Sequence, residues 1–163
     1  MKRIKNLALI IPLLLVTAFV FAGCGSKAVK PKTFTRHGIS ITADTSFRIV
    51  PVIGTTIALH SPNITITGTR EPQIPQLPMS LSLREYTQMI LMLNGLSVPI
   101  HVHENGFEYF FFEAAQGLIS NTTMGVTMKS STAFYLFNFV CNTANFESFQ
   151  ERFLTWAELI VVT

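Results

Sequence analysis

The sequence lacks the short signatures of common catalysis. It has no G-x-S-x-G nucleophile turn, no glycine loop able to cradle phosphate, and no cysteine–histidine arrangement with a cysteine outside an apolar segment. Internal repeats and low-complexity stretches are absent too. So is any long apolar run: the longest, Leu7 to Ala22, has 16 residues and contains Pro12. A membrane-crossing helix needs roughly 20. Finally, there is no dominant charge. The formal net charge of +3 disappears once Lys2, Arg3 and Lys5 are set aside. The basic isoelectric point therefore argues for no nucleic-acid partner. At 163 residues the chain is long enough for one ordinary domain.

What is present begins with an address. Three cations precede the apolar run, and small residues follow it, which is the order of a secretory signal peptide. The run ends in Phe21-Ala22-Gly23-Cys24, "FAGC", which resembles the lipobox of bacterial lipoproteins. The resemblance implies cleavage after residue 23. It further implies a diacylglyceryl group on the Cys24 sulfur and a third acyl chain, such as palmitate, on the new N-terminus. Two or three chains anchor a protein stably where one is marginal. Gly25 stands where many inner-membrane lipoproteins carry aspartate, which favours the outer membrane over the inner.

Residues 24–36 are polar, basic and interrupted by Pro31, and are expected to be a flexible tether. Its cations, Lys27, Lys30, Lys32 and Arg36, suit anionic headgroups. The domain expected over 37–163 is acidic by contrast, with five basic and nine acidic residues. With Cys24 taken by lipid, Cys141 has no disulfide partner, and its apolar surroundings make it a buried small hydrophobe.

Within the domain, alternation predicts strands over 38–43, 55–61 and 63–69, with an extended proline-bearing loop over 70–80. Ser82 followed by Glu85 is a capping box, and Tyr86, Met89, Ile90 and Leu93 continue at helical spacing to Asn94-Gly95. Strands are expected over 97–103, 107–115 and, more weakly, 122–129. Residues 131–142, "STAFYLFNFVCN", are apolar on nearly every position and belong in the middle of a sheet. Asn145 is placed to cap a last helix bearing Phe146, Phe149, Phe153 and Trp156 on one stripe, before a short strand over 159–162.

The closing stretch "AFYLFNFVCNTANFESFQERFLTWAELIVV" joins an aromatic strand, a polar turn, a phenylalanine-striped helix and a terminal apolar strand. It resembles the end of the PsbP-like fold, a family that includes DcrB-type bacterial envelope lipoproteins. The resemblance covers about residues 38–163. It implies an α+β domain with an antiparallel sheet flanked by helices, an α/β/α sandwich. It also implies work by protein binding, with no shared catalytic residues. In the irregular stretch "SFRIVPVIGT", 46–55, it meets a segment ill suited to cover a sheet face.

One segment invites chemistry. In "HVHENGFEYFFFEAA", 101–115, Asn105-Gly106 suits a two-residue type I′ hairpin turn. That register puts His103 opposite Glu108 and His101 opposite Phe110, with both histidines and Glu108 on one face. Two histidines and a carboxylate can hold a metal with open positions. The plainer reading, a cross-strand charged pair beside a stacked histidine, is preferred, because spacing supplies no fourth ligand. The sequence thus points to a lipid-anchored bacterial envelope protein, domain facing periplasm or exterior. Its expected work is binding an envelope protein partner, without catalytic residues or cofactor. The alternative is a metal- or small-ligand-binding lipoprotein using His101, His103 and Glu108.

Overall fold

The structure, a computed structural model, describes residues 30–72, 80–116 and 119–163. The signal peptide and Cys24 lie outside the described residues, as does most of the proline loop. Ten strands, two α-helices and a short 3-10 turn follow one another among the described residues. The strands are β1 (Pro31–Arg36), β2 (Ile39–Asp44), β3 (Arg48–Ile49), β4 (Ile57–His60), β5 (Ile64–Pro72), β6 (His101–Val102), β7 (Glu108–Gln116), β8 (Ile119–Lys129), β9 (Ala133–Asn142) and β10 (Val161–Val162). Helix α1 (Leu83–Leu93) lies between β5 and β6, and α2 (Phe146–Glu158) between β9 and β10.

Seven strands form one antiparallel sheet in the order β3-β4-β5-β9-β8-β7-β6. Strand β9 is central, as a run apolar at nearly every position predicts, with Asn138 its one interior polar residue. Each face of the strand packs against a different layer, the α1 face fully buried only at Phe134. Tyr135, Phe137, Phe139 and Cys141 point into the larger core, with Ile39 and Ile41 of β2 and Phe153, Trp156 and Ala157 of α2. On the opposite face Phe134 joins Tyr86, Ile90 and Leu91 of α1 and Phe110 of β7. The expected α/β/α sandwich is therefore present, with one outer layer shared between α2 and a second, three-stranded sheet β1-β2-β10. Among the described residues no helix is long and apolar enough to cross a membrane.

Helix α1 starts where its sequence says. The Ser82 hydroxyl accepts from Glu85 N–H at 3.2 Å, and the Glu85 carboxylate accepts from Ser82 N–H at 2.8 Å. The Ser82 N–H, and then the Ser82 hydroxyl donating to the same carboxylate at 2.8 Å, hold the Glu85 carboxyl below its ordinary pKa. Gly95, at φ +64°, ends the helix.

Three expectations are corrected. Pro31–Arg36 is not tether but strand β1, paired along its whole length with β2. Phe34 inserts into the core at 4% exposure, and Thr33–Thr42 and Thr35–Ser40 hydroxyls meet across the pair at 2.9 Å. The turn between them is His37-Gly38, with φ +45° and +80°, the two positive values that a type I′ hairpin needs. The segment over 46–55 also contributes: Phe47, 3% exposed, stands edge-on to Trp156 at 5.2 Å. Beside it Asp44 accepts from Ser46 N–H and from the Ser46 hydroxyl, and pairs with Arg152 of α2 at 2.8 Å. Lastly, Asn145 makes no capping bond. Asn142 caps instead, accepting from Ala144 N–H at 3.0 Å, so a 3-10 turn over Thr143–Asn145 leads into α2.

Candidate functional site

The β6–β7 hairpin does not adopt the register expected of it. His101 pairs with Tyr109 and Val102 with Glu108. The ladder closes where His103 N–H donates to Phe107 O at 2.9 Å, and Gly106 N–H donates to His103 O at 2.9 Å. The loop is thus three residues, Glu104 to Gly106, and Gly106 alone in it takes positive φ, +84°. One extra loop residue moves every side chain of β7 to the other face relative to β6.

The consequence for the metal hypothesis is direct. His101, His103, Phe107 and Tyr109 share the face that packs beneath α2, and Glu108 lies on the α1 face. His101 stacks on Tyr109 at 5.0 Å rather than on Phe110. His103 stacks on Phe107 at 4.4 Å, nearly parallel. Its Nδ1 accepts from Asn105 N–H at 3.2 Å, and its Nε2 faces Glu158 at 3.2 Å. Both ring nitrogens are therefore engaged within the hairpin and α2. Among the described residues no group of three or more histidine, cysteine, aspartate or glutamate side chains is placed to hold a metal ion. The structure does not bring Glu108 to the face that carries His101 and His103.

Glu108 instead turns to α1, where Arg84 Nε meets its Oε1 at 3.0 Å. The Glu108 side chain is 8% exposed, and its Oε2 finds no hydrogen-bond partner. Next to it the Thr87 hydroxyl donates to Leu83 O at 2.9 Å and lies 2.7 Å from the Thr127 hydroxyl. Tyr86, fully buried, stacks on Phe134 at 4.5 Å. Burial, and then the charge and hydrogen bonding of the Glu71 carboxylate near the Tyr86 hydroxyl, push its pKa well up. Burial likewise raises the pKa of the Cys141 thiol, which is 3% exposed and not poised for reaction. The Arg84–Glu108, Thr87–Thr127 and Tyr86–Phe134 contacts weld α1 to the large sheet. Sequence reasoning missed Arg84 and Glu158 as partners, because both pairings depend on the hairpin register.

The solution structure of cyanobacterial PsbP (CyanoP) from Synechocystis sp. PCC 6803 superposes with a TM-score of 0.62 over 88% of this chain and 99% of that one, at 8% sequence identity. The chain has a PsbP-like fold. A Pseudomonas aeruginosa protein of unknown function, described as a putative regulator, matches at a TM-score of 0.49 and 9% identity over 82% of this chain and 97% of that one. No protein-family model matches the sequence. No curated protein matches it either. At these identities the PsbP-like fold carries over and no site residue does.

Proposed function

We propose that this chain is a lipid-anchored protein of the bacterial cell envelope, of the DcrB type, whose PsbP-like domain binds a partner protein and performs no catalysis. The observation that carries the reading is Cys24 at the end of "FAGC", set directly behind a basic start and a 16-residue apolar run. Cleavage there leaves a thiol and a new amine for acylation. Six residues, 25–30, then separate the lipidated cysteine from Pro31, where β1 begins. Such a short link holds the domain within a thin layer at the membrane surface. Confinement raises its effective concentration toward membrane neighbours without any new contact.

Metabolic labelling with a palmitate analogue, followed by crosslinking in cells, tests this. Wild-type chain is expected to take up label, fractionate with the outer membrane and crosslink to a defined envelope protein. Cys24→Ala is expected to lose both label and crosslink. Native protein found unlabelled in the cytosol with residues 1–23 still attached would overturn the reading.

A further inference from the structure

Strand β6 is the outer strand of the large sheet. In an antiparallel pair, successive residues turn their main-chain groups to opposite sides. His101 and His103 face β7, so Val102 presents its N–H and C=O to the open side. The chain before it, 96–100, runs without turn or bend, and the same alternation, carried back along it, would point Ile100 and Val98 outward. Pro99 would pair next with β7 but has no N–H, which is why the ladder stops at two residues. Among the described residues, no main-chain hydrogen bond engages Val98, Ile100 or Val102 on the outer side. An open row of this kind is a template for another strand.

The surroundings differ above and below that row. On the α1 side, Gln88, Leu91, Met92, Leu96, Val98 and Ile100 line an open, uncharged groove of about 670 Å³, with Met92 72% exposed. On the α2 side lies acid. Glu147, Glu151, Leu154 and Glu158 fall at i, i+4, i+7 and i+11, one stripe of the helix. Arg152, on the opposite flank, reaches Asp44 of the small sheet. The acidic flank hangs over the β6–β7 side, because Phe146 meets Phe111 at 5.4 Å and Glu158 meets His103. Glu113 of β7 projects on the same face as Tyr109 and Phe111. Among the described residues, no cation pairs with Glu113, Glu147 or Glu151.

We infer that the β6 edge takes an extended segment of a partner protein in which lysine or arginine alternates with apolar residues. As an added strand, such a segment turns its cations to the α2 flank and its apolar side chains to the Met92 groove. Main-chain bonds to Val98, Ile100 and Val102 supply the register. The charge excludes a second copy of this chain as occupant, since edge-to-edge pairing would bring two acidic flanks together. This inference rests on the protein-binding reading above and narrows it to one edge.

The test uses full-length chain, purified from membranes in detergent, and an acetylated, amidated octapeptide of alternating lysine and valine. An alternating glutamate–valine peptide is the comparator. Hydrogen exchange followed by mass spectrometry is expected to slow over 97–103 with the lysine peptide alone. Glu113→Gln, Glu147→Gln and Glu151→Gln combined should weaken binding about five-fold and flatten its salt dependence. Equal binding of both peptides, unchanged exchange over 97–103, or slowed exchange there without peptide through self-association would each overturn the inference. Should the edge fail while the Cys24-dependent crosslink persists, the binding-module reading stands and only its location is wrong.

Discussion

Gly125 sits on β8 directly opposite Phe110 of β7. A Cβ added there would lie 2.4, 2.5 and 2.9 Å from three atoms of the Phe110 ring. Carbon atoms pack best at about 3.5–4.0 Å, so the ring must withdraw by about 1 Å or more. It has nowhere to go: Phe110 is 1% exposed and held among Tyr86, Ile90 and Phe134. Overpacking of this kind costs about 1–3 kcal/mol, and the closeness of these contacts places it near the top of that range. Replacing a strand glycine by alanine otherwise returns about 0.5–1 kcal/mol of backbone entropy. Gly125→Ala is therefore expected to destabilise by about 2 kcal/mol. Phe110→Ala alone removes a fully buried ring, at about 3–5 kcal/mol. The double variant should cost at least about 1 kcal/mol less than the sum, since the new methyl then enters the vacated space. Urea unfolding followed by the fluorescence of Trp156, the single tryptophan, measures all four forms of the cycle. Gly125→Ala as stable as wild type, or strictly additive costs, would refute the ring-over-glycine packing and with it the β7–β8 register.

Three further outcomes follow from buried or capping polar groups. Arg84→Ala strands the Glu108 carboxylate; because Arg84 is itself 39% exposed, the expected loss is about 2 kcal/mol rather than that of a fully buried pair, and adding Glu108→Leu should recover most of it in the same urea assay. Tyr86→Phe deletes a buried hydroxyl whose only polar neighbour among the described residues is the Glu71 carboxylate, so at pH 7 its cost should stay within about 1 kcal/mol. The raised pKa of Tyr86 means its stabilising share is whole below the unfolded value, near 10, and lost as pH climbs beyond it; Tyr86→Phe should therefore move alkaline unfolding to higher pH, and an unmoved transition counts against the burial. Ser82→Ala should cost about 1 kcal/mol at pH 7. The Glu85 pKa is lowered in the fold chiefly by the Ser82 N–H, which alanine keeps, so the carboxylate's share is present above the ordinary carboxylate range and is lost as pH falls through the lowered value; circular dichroism melts at pH 7 and pH 3 should show Glu85→Ala, rather than Ser82→Ala, approaching wild type in acid.

The elements legible in the sequence are those in which one local signal and one tertiary demand coincide. Strand β9 is apolar on successive positions because both faces are covered, and α1 carries its capping box and its apolar stripe together. Where the two diverge, sequence reasoning falls short. Strand β1, "PKTFTR", buries only Phe34, so alternation has a single apolar point to work from. Its lysine, arginine and leading proline are the protection of an edge strand, and the same residues make a convincing tether. Strand β8 looks weak because Gly125 breaks the β-branched pattern, yet that glycine is what admits the Phe110 ring. The start of α2 is ambiguous because Asn142 and Asn145 are both capping residues, and only the intervening 3-10 turn decides between them.

The hairpin shows the same divergence at the level of function. Asn-Gly accommodates a two-residue turn with positive φ at both positions, or ends a longer loop with positive φ at glycine alone. No local preference in "HENGF" chooses between them. The choice is made by what the two faces meet. With three loop residues, Phe107 is buried in the larger core at 4% exposure, His103 reaches Glu158, and Glu108 reaches Arg84. The two-residue turn would instead send Glu108 toward the phenylalanines beneath α2 and Phe107 toward Arg84. Burying a carboxylate among aromatic rings without a cation is far costlier than any difference between turn types. The core therefore fixes the register, and the register parts Glu108 from His101 and His103 while leaving an open strand edge with acid on one side and an apolar groove on the other. The histidines end as packing for that edge, and its outward main-chain groups become the feature most available to a partner.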